Sequence, residues 1–481
     1  MLTRVIKHEW RRLFVDHVAQ LVTFVFGLSM AYGIFNGTVW VRFQEATLHR
    51  ASRDESLRYE KLRAELDSIE HSGKEPSWWD DPRHAEVVAV IRGQRFACMP
   101  PAPLATMAIG RSDLDPYYFK ITGLGRQALW NDHEIMNPTH LLTGRFDLGF
   151  VVLALFPLII LVLSYDLISG EREGGTLALA LSQPVQLRTL VVGKVLSRGT
   201  FVLVLALTTA MMGVLAGSVN PLNAGVAVRL CLWGLVVAAY SSFWFCLAVV
   251  VNAAGGRSST NAVVLTSLWL TFVVVIPTLV NVALASLYPV PSRVELIGAM
   301  QAASSAATAR GSGLLSQFYE DHPGLVPAAP EVKENFSIAY MAVQNSIDAA
   351  VEPILSTFDR QLDLQQTTAE RLRWLSPTIL AQTALLDLAG TGRVRYRQFL
   401  KQVNAYHHEW RAFFNPKVFR RERLTRQDYD RIPEFQFNEE STSDVVRRVL
   451  KSSLELAVPS LFLLALGSWV LRGYRVGQEP S

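Results

Sequence analysis

Three groups of residues in this 481-residue chain have side chains that could carry chemistry. His407-His408-Glu409 combines two imidazoles with a carboxylate. These residues are adjacent, whereas two ligands share one helical face at a spacing such as i and i+4, so the cluster reads as a polar helix surface and not as a metal site. Gly193-Lys194 has the two residue types that close a phosphate-binding loop. Arg188 stands where such a loop needs its first glycine, however, and Val195 where it needs Ser or Thr. No Gly-x-Ser-x-Gly elbow and no His-Glu-x-x-His motif occurs. The expectation is a chain without catalytic residues, bound metal or cofactor of its own. The third group is Glu171-Arg172-Glu173-Gly174-Gly175-Thr176-Leu177, followed by Leu179, Leu181 and Pro184. Carboxylates ahead of a short apolar helix suit its positive end, and proline stops it. A short helix with an apolar face in a loop needs a surface to dock on, so its chemistry is binding.

The elements that position this loop follow from where charge is missing. Half of the residues are hydrophobic and 18% are charged, against roughly 25% in a soluble chain. Stretches 18–41, 148–165, 199–228, 230–256, 258–292 and 456–471 hold no Asp, Glu, Lys or Arg. A span needs about 20 mostly apolar residues, and the last stretch reaches that length by extending to 452–474. The expected fold is an all-α polytopic membrane protein with six transmembrane helices. This composition disfavours disorder, a disulfide scaffold and a nucleic-acid binder. Cys231 and Cys246 fall in one helix, too far apart to bridge, and Cys98 falls in a polar loop with no partner there.

Short loops rich in Lys and Arg face the cytoplasm. Segments 1–17, 166–198, 252–259 and 472–481 together carry a net charge of +5, and the rest of the chain −1. Both termini are therefore expected to be cytoplasmic. The organisation predicted is an amphipathic interfacial helix over 1–17, helix one over 18–41, and an extracytoplasmic insertion over 42–147. Helix two covers 148–166, a cytoplasmic coupling loop 167–198, and helices three to five 199–287. A large extracytoplasmic domain over 288–451, helix six over 452–474 and a tail over 475–481 complete it. Both insertions read as mainly α-helical, with an exposed-helix pattern over 47–71 and further helical stretches over 338–375 and 394–414, the last rich in Tyr, Phe and Trp.

Inside the predicted helices no ionisable residue sits near the bilayer midplane, and Glu455 falls near the start of helix six. That disfavours an ion-coupled carrier, which marks its pathway with such groups. Thr266 and Asn281 are polar residues available either to interhelical hydrogen bonds or to a substrate pathway. Gly33 and Gly37, and Gly213 and Gly217, are spaced for close helix approach, and Pro157, Pro277 and Pro459 are positioned to kink helices.

The third group resembles the coupling loop of the permease subunits of type-2 ABC exporters. The matching residues are Glu171 and Glu173, Gly175-Thr176-Leu177, Leu179 and Leu181, Pro184, and Gly193-Lys194 entering helix three. Ala178 departs from the pattern, where many relatives have an acidic residue. The amphipathic amino-terminal helix and the six-span layout fit as well. The two large insertions resemble a bacterial subfamily through Pro100–Leu104, Gly110–Asp113, Leu375–Pro377 and Ala389–Thr391. The resemblance implies a multi-pass protein of the bacterial inner membrane that pairs with an identical or sister permease and with cytoplasmic ATPase subunits holding Mg-ATP. Glu171, Glu173, Gly175, Thr176, Leu177, Leu181 and Pro184 would then couple the ATPase to the spans, with Leu177 or Leu181 as an apolar anchor. The alternative is an ATP-driven mechanotransmitter acting on an extracytoplasmic partner without transport.

Overall fold

The computed structural model describes residues 2–73, 75–125, 146–183, 185–289, 293–309 and 336–472. Helix α1 (Leu2–Val15) is amphipathic as expected, and it buries Leu13 and Glu9. Asp16 then caps α2 (His17–Ser72), its carboxylate accepting from the amide of Val18 at 2.9 Å. The predicted span 18–41 and the predicted outer helix 47–71 are one 56-residue helix. The reason lies in the sequence: after Gly37 no glycine or proline occurs until Gly73, which closes the helix at φ +62°.

Among the described residues six helices are long and apolar enough to cross a membrane, and the chain is an all-α, multi-pass membrane protein. The first is the amino-terminal half of α2. The second runs from Leu148 into α3 (Phe156–Ser164). Two short helices follow, α4 (Ser169–Glu173) and α5 (Thr176–Leu181). Spans three and four are α6 (Leu187–Ala216) and α7 (Ala224–Ala253). The fifth is α8 (Ser258–Trp269) continued into α9 (Ile276–Leu287). The second and fifth each contain a π-helical turn, Val151–Leu155 and Leu270–Val275, just before Pro157 and Pro277. Proline lacks an N–H and crowds the preceding turn, and a widened turn accommodates it. Pro459 sits inside the last span without such a turn.

The carbonyl groups freed near these prolines are answered by side chains from elsewhere. Tyr240 donates to the carbonyl of Leu153, four residues before Pro157, at 2.8 Å. Ser376 donates to that of Phe272, five residues before Pro277, at 2.6 Å. In an apolar surrounding each orphaned carbonyl would cost several kcal/mol on the order estimated for bilayers.

Beyond the fifth span come α10 (Arg293–Ala309), α11 (Phe336–Leu372), α12 (Pro377–Ala389), α13 (Arg393–Arg420) and the last span, α14 (Thr442–Arg472). The expectation of an extracytoplasmic 288–451 needs correction at α12. Leu380, Ala381, Ala384, Leu385 and Leu388 are buried in the same apolar core as the spans. Thr378 meets the Tyr240 hydroxyl at 3.0 Å, halfway along α7, while Arg229 near the other end of α7 donates to the carbonyl of Leu388 at 3.1 Å. Helix α12 thus dips into the bundle, amino terminus deepest. Its approach carries Arg373 to Glu455, 2.6 Å away and nearly buried. Glu455 is the fourteenth residue of α14 and faces an arginine, not a helix-end surface.

The first insertion is not wholly helical either. Strands β1 (Arg95–Cys98) and β2 (Tyr118–Ile121) pair antiparallel, Arg95 opposite Ile121. The two insertions share one core. Tyr59, Leu62 and Leu66 of α2 pack with Ala97, Phe119 and Ile121 of the strands and with Phe399, Tyr406, Trp410 and Phe414 of α13. The glycine pairs serve packing within this chain: a side chain at Gly37 would strike the backbone of Thr106, and one at Gly33 the backbone of Asp147.

Candidate partner-docking site

The loop between the second and third spans is tied to four other elements. Glu171 pairs with Lys194 of α6 at 2.7 Å, and the Lys194 side chain is only 1% exposed. Its ammonium also donates to the carbonyl of Leu167 at 2.7 Å, so this buried cation is neutralised and hydrogen-bonded. The second carboxylate oxygen of Glu171 is buried and has no hydrogen-bond partner among the described residues. Arg172 donates to the carbonyls of Gly255 and Gly256, each at 2.7 Å, just past the end of α7. A guanidinium there suits the negative end of that helix. Glu173 accepts from the amide of Ser258 at 2.7 Å, the first residue of α8, where an anion suits the positive end.

Polar side chains on the bundle side complete the clasp. Asn252 accepts from the amide of Ile168 at 3.2 Å and donates to the carbonyl of Ser164 at 3.0 Å. The Ser169 hydroxyl accepts from the Asn261 side-chain amide at 3.2 Å and from the Ser258 hydroxyl at 2.8 Å. Arg198 binds Glu9 of α1 at 3.3 Å and Asp166 at 3.4 Å, and donates to the carbonyl of Leu163. Helix α1 can lie this close to α6 because position 193 is glycine; a side chain there would strike Val5.

Helix α5 begins at Gly175, whose φ of +68° lets the chain reverse out of α4. The expected contact residues divide between its two sides. Leu177 is 1% exposed and belongs to the bundle core, with Leu181 half-buried against it. Leu179 points the other way, 71% exposed. An anchor for a partner must be free to leave water, so Leu177 is not on offer; its side chain holds α5 onto the bundle and the outward side chain is Leu179. Thr176 is exposed and donates to the carbonyl of Glu171 at 3.2 Å. Pro184 lies outside the described residues. Thr266 and Asn281 are both exposed along the fifth span, and the Thr266 hydroxyl bonds its own helix at the carbonyl of Ala262, 2.8 Å away.

Sequence reading gave roles to Glu171 and Glu173 but none to Arg172, Ser169, Asn252, Asn261, Ser258 or Arg198. One signal was available, since these polar residues stand at or near the ends of apolar stretches, where buried hydrogen bonding between spans is the ordinary use.

Two families match overlapping parts of the chain. Residues 117–299, which include this loop, match the family described as ABC-2 family transporter protein. Residues 293–438 match a domain of unknown function, DUF3526. A probable ABC transporter permease protein NosY from Pseudomonas aeruginosa is 53% identical over 55 residues, which is 11% of this chain and 19% of the relative. The protein of the same description from Stutzerimonas stutzeri is 34% identical over 127 residues, 25% of this chain and 45% of the relative. The chain thus spans less than half the length of either curated relative.

Proposed function

We propose that this chain, which is similar to the ABC-2 transporter family over residues 117–299, is a permease of the bacterial inner membrane and the membrane subunit of an ATP-driven exporter. In this reading separate cytoplasmic ATPase subunits bind Mg-ATP and dock on α5, and a second permease, identical or sister, completes the pathway. The supporting observation is the clasp. A push on α5 reaches α6 through Glu171 and Lys194, the end of α7 through Arg172, and the start of α8 through Glu173. A loop joined rigidly to three spans is suited to turning closure of a partner into movement of helices. In this reading the amino terminus and the loop are cytoplasmic, an orientation that the +5 charge of the short-loop side supports.

One observation favours the mechanotransmitter alternative for the same machinery. Helix α2 runs unbroken from the span into the outer core, where Tyr59, Leu62 and Leu66 are buried. A rigid rod of that kind can carry motion to an extracytoplasmic partner. ATP-dependent substrate uptake into inverted vesicles separates the two readings.

The docking site is tested by exchanging the two leucines. Leu179→Asp should leave membrane abundance unchanged and abolish ATPase co-purification. Leu177→Asp should lower abundance, because it buries a carboxylate without a partner. If the ATPase co-purifies at wild-type levels with the Leu179→Asp protein, α5 is not the docking surface.

A further inference from the structure

The last span carries two cations on the face turned away from the bundle. Arg447 and Lys451 are one turn apart on α14 and both are exposed. Leu450, Leu454 and Val458 continue the same face deeper into the span, and all three are exposed. Trp374, on the approach to α12, stands beside this stripe with half of its surface uncovered. These side chains and Glu455 line a lateral groove of about 380 Å³. The groove is apolar along its length and cationic at its mouth.

The charges at the groove are unevenly answered. Glu455 is neutralised by Arg373 at 2.6 Å, both side chains being mostly buried. Arg447 touches Asp444 at 3.3 Å on the solvent side, with its own side chain 79% exposed. Lys451 has no acidic partner among the described residues. A lone lysine or arginine at a span end commonly lays its stem on apolar surface and reaches the headgroups. Here the cations stand one turn apart above a slot that an acyl chain can enter sideways, without crossing water. A phosphate diester meets both cations by charge-assisted hydrogen bonds, and the neutral Arg373–Glu455 wall neither attracts nor repels it.

We propose that this groove binds an anionic phospholipid of the bilayer, its phosphate on Arg447 and Lys451 and one acyl chain along Leu454, Val458 and Trp374. The assignment is independent of any ATP-driven activity. Each cation near a membrane surface favours anionic lipid by about five-fold, so the pair gives a selectivity that one residue does not.

The test uses the full chain in lipid nanodiscs containing phosphatidylglycerol or phosphatidylcholine brominated on the acyl chains. Bromine quenches tryptophan at contact, and the part due to Trp374 is the difference between wild type and Trp374→Phe. Brominated phosphatidylglycerol, present as a minor fraction, should quench Trp374 several-fold more than brominated phosphatidylcholine. Arg447→Gln with Lys451→Gln, two exposed positions, should remove the preference while leaving quenching by the bulk lipid. Equal quenching by both lipids overturns the proposal, as does a preference that survives the double substitution. Protection of Trp374 from both lipids would mean that protein covers the face, and overturns it equally.

Discussion

Two short helices interrupt the spans, and they came out of the sequence very differently. Helix α5 is announced by its local pattern, acidic residues, glycines, leucines and a proline within 14 positions. Helix α12 has 13 residues, is flanked by charged segments, and passes for part of an outer domain. Hydropathy detects a segment that must satisfy the whole bilayer thickness by itself. A helix that enters the bundle only partway, covered by α7 and α14, has no such requirement. Its amino-terminal end is stabilised by Ser376, whose hydroxyl accepts from the amide of Thr378 and donates to the carbonyl of Phe272. The lesson is that partial penetration is paid for by tertiary hydrogen bonds, which a one-dimensional pattern cannot display.

The largest expected effect separates α12 from an ordinary outer helix. Leu385 is 2% exposed in the core shared with the spans. Leu385→Asp would place a carboxylate there without a partner, at a cost of about 3–5 kcal/mol. The folded protein should be nearly lost from membranes, as followed by fluorescence-detected size exclusion. Normal abundance and elution would return α12 to the outside. An equally large effect is expected in the clasp. Lys194→Met strands Glu171, and the double variant Lys194→Met with Glu171→Gln should recover most of the lost stability, since removing both charges is far milder than removing one. If the double variant is no better than the single, the ion pair is not what holds α4.

The outer core supplies a contrast in which pH is the probe. Burial holds the His407 imidazole down at about 4, and its Nε2 faces the carbonyl of Leu124 at 2.9 Å, with Arg411, Asp348 and His408 nearby. The unfolded histidine titrates near 6.5, so protonation favours the unfolded chain. The stability contribution is whole above about pH 6.5 and is lost as pH falls toward 4, by about 3 kcal/mol in all. Hydrogen exchange at pH 5 should open the outer core well before the spans, and His407→Gln should flatten that dependence. Exchange that rises equally in spans and outer core would show that the two are not separable.

Much of the fold was legible because charge-free length is a global signal that each span carries alone. The helices expected over 338–375 and 394–414 were legible as long stretches with few breaking residues and appear as α11 and α13. The continuity of α2 could have been read from the absence of any stop signal before Gly73. Partners were not legible where they are remote. Glu173 meets Ser258 across 85 positions and Arg373 meets Glu455 across 82. Spacing showed that Leu177 lies on an apolar face, but an apolar face serves a partner or the protein's own core equally well, and only packing decides. Cys98 illustrates the same limit. It reads as a loop residue, yet it ends β1, and burial pushes its thiol up to about 12. It should therefore resist alkylation in the native protein and react on denaturation.

The smallest effect bears on how α12 is held. The Ser376 hydroxyl, donating at 2.6 Å, occupies the Phe272 carbonyl that Pro277 leaves without an amide donor. Ser376 is wholly buried, so Ser376→Ala leaves that carbonyl unanswered, at a cost of about 1–3 kcal/mol. The alanine also loses the cap of α12, where the same hydroxyl receives the amide of Thr378 at 3.1 Å, worth about 1 kcal/mol. The melting temperature in detergent should fall by a few degrees while the fold persists. Pro277→Ala in the same background restores an amide that can serve Phe272 from within the fifth span. If Ser376 acts by replacing that missing donor, the second change should recover the carbonyl part of the loss and leave the cap part. Were Ser376 only a helix cap, Pro277→Ala would recover nothing, and the π turn ahead of Pro277 would have no connection to the helix that packs against it.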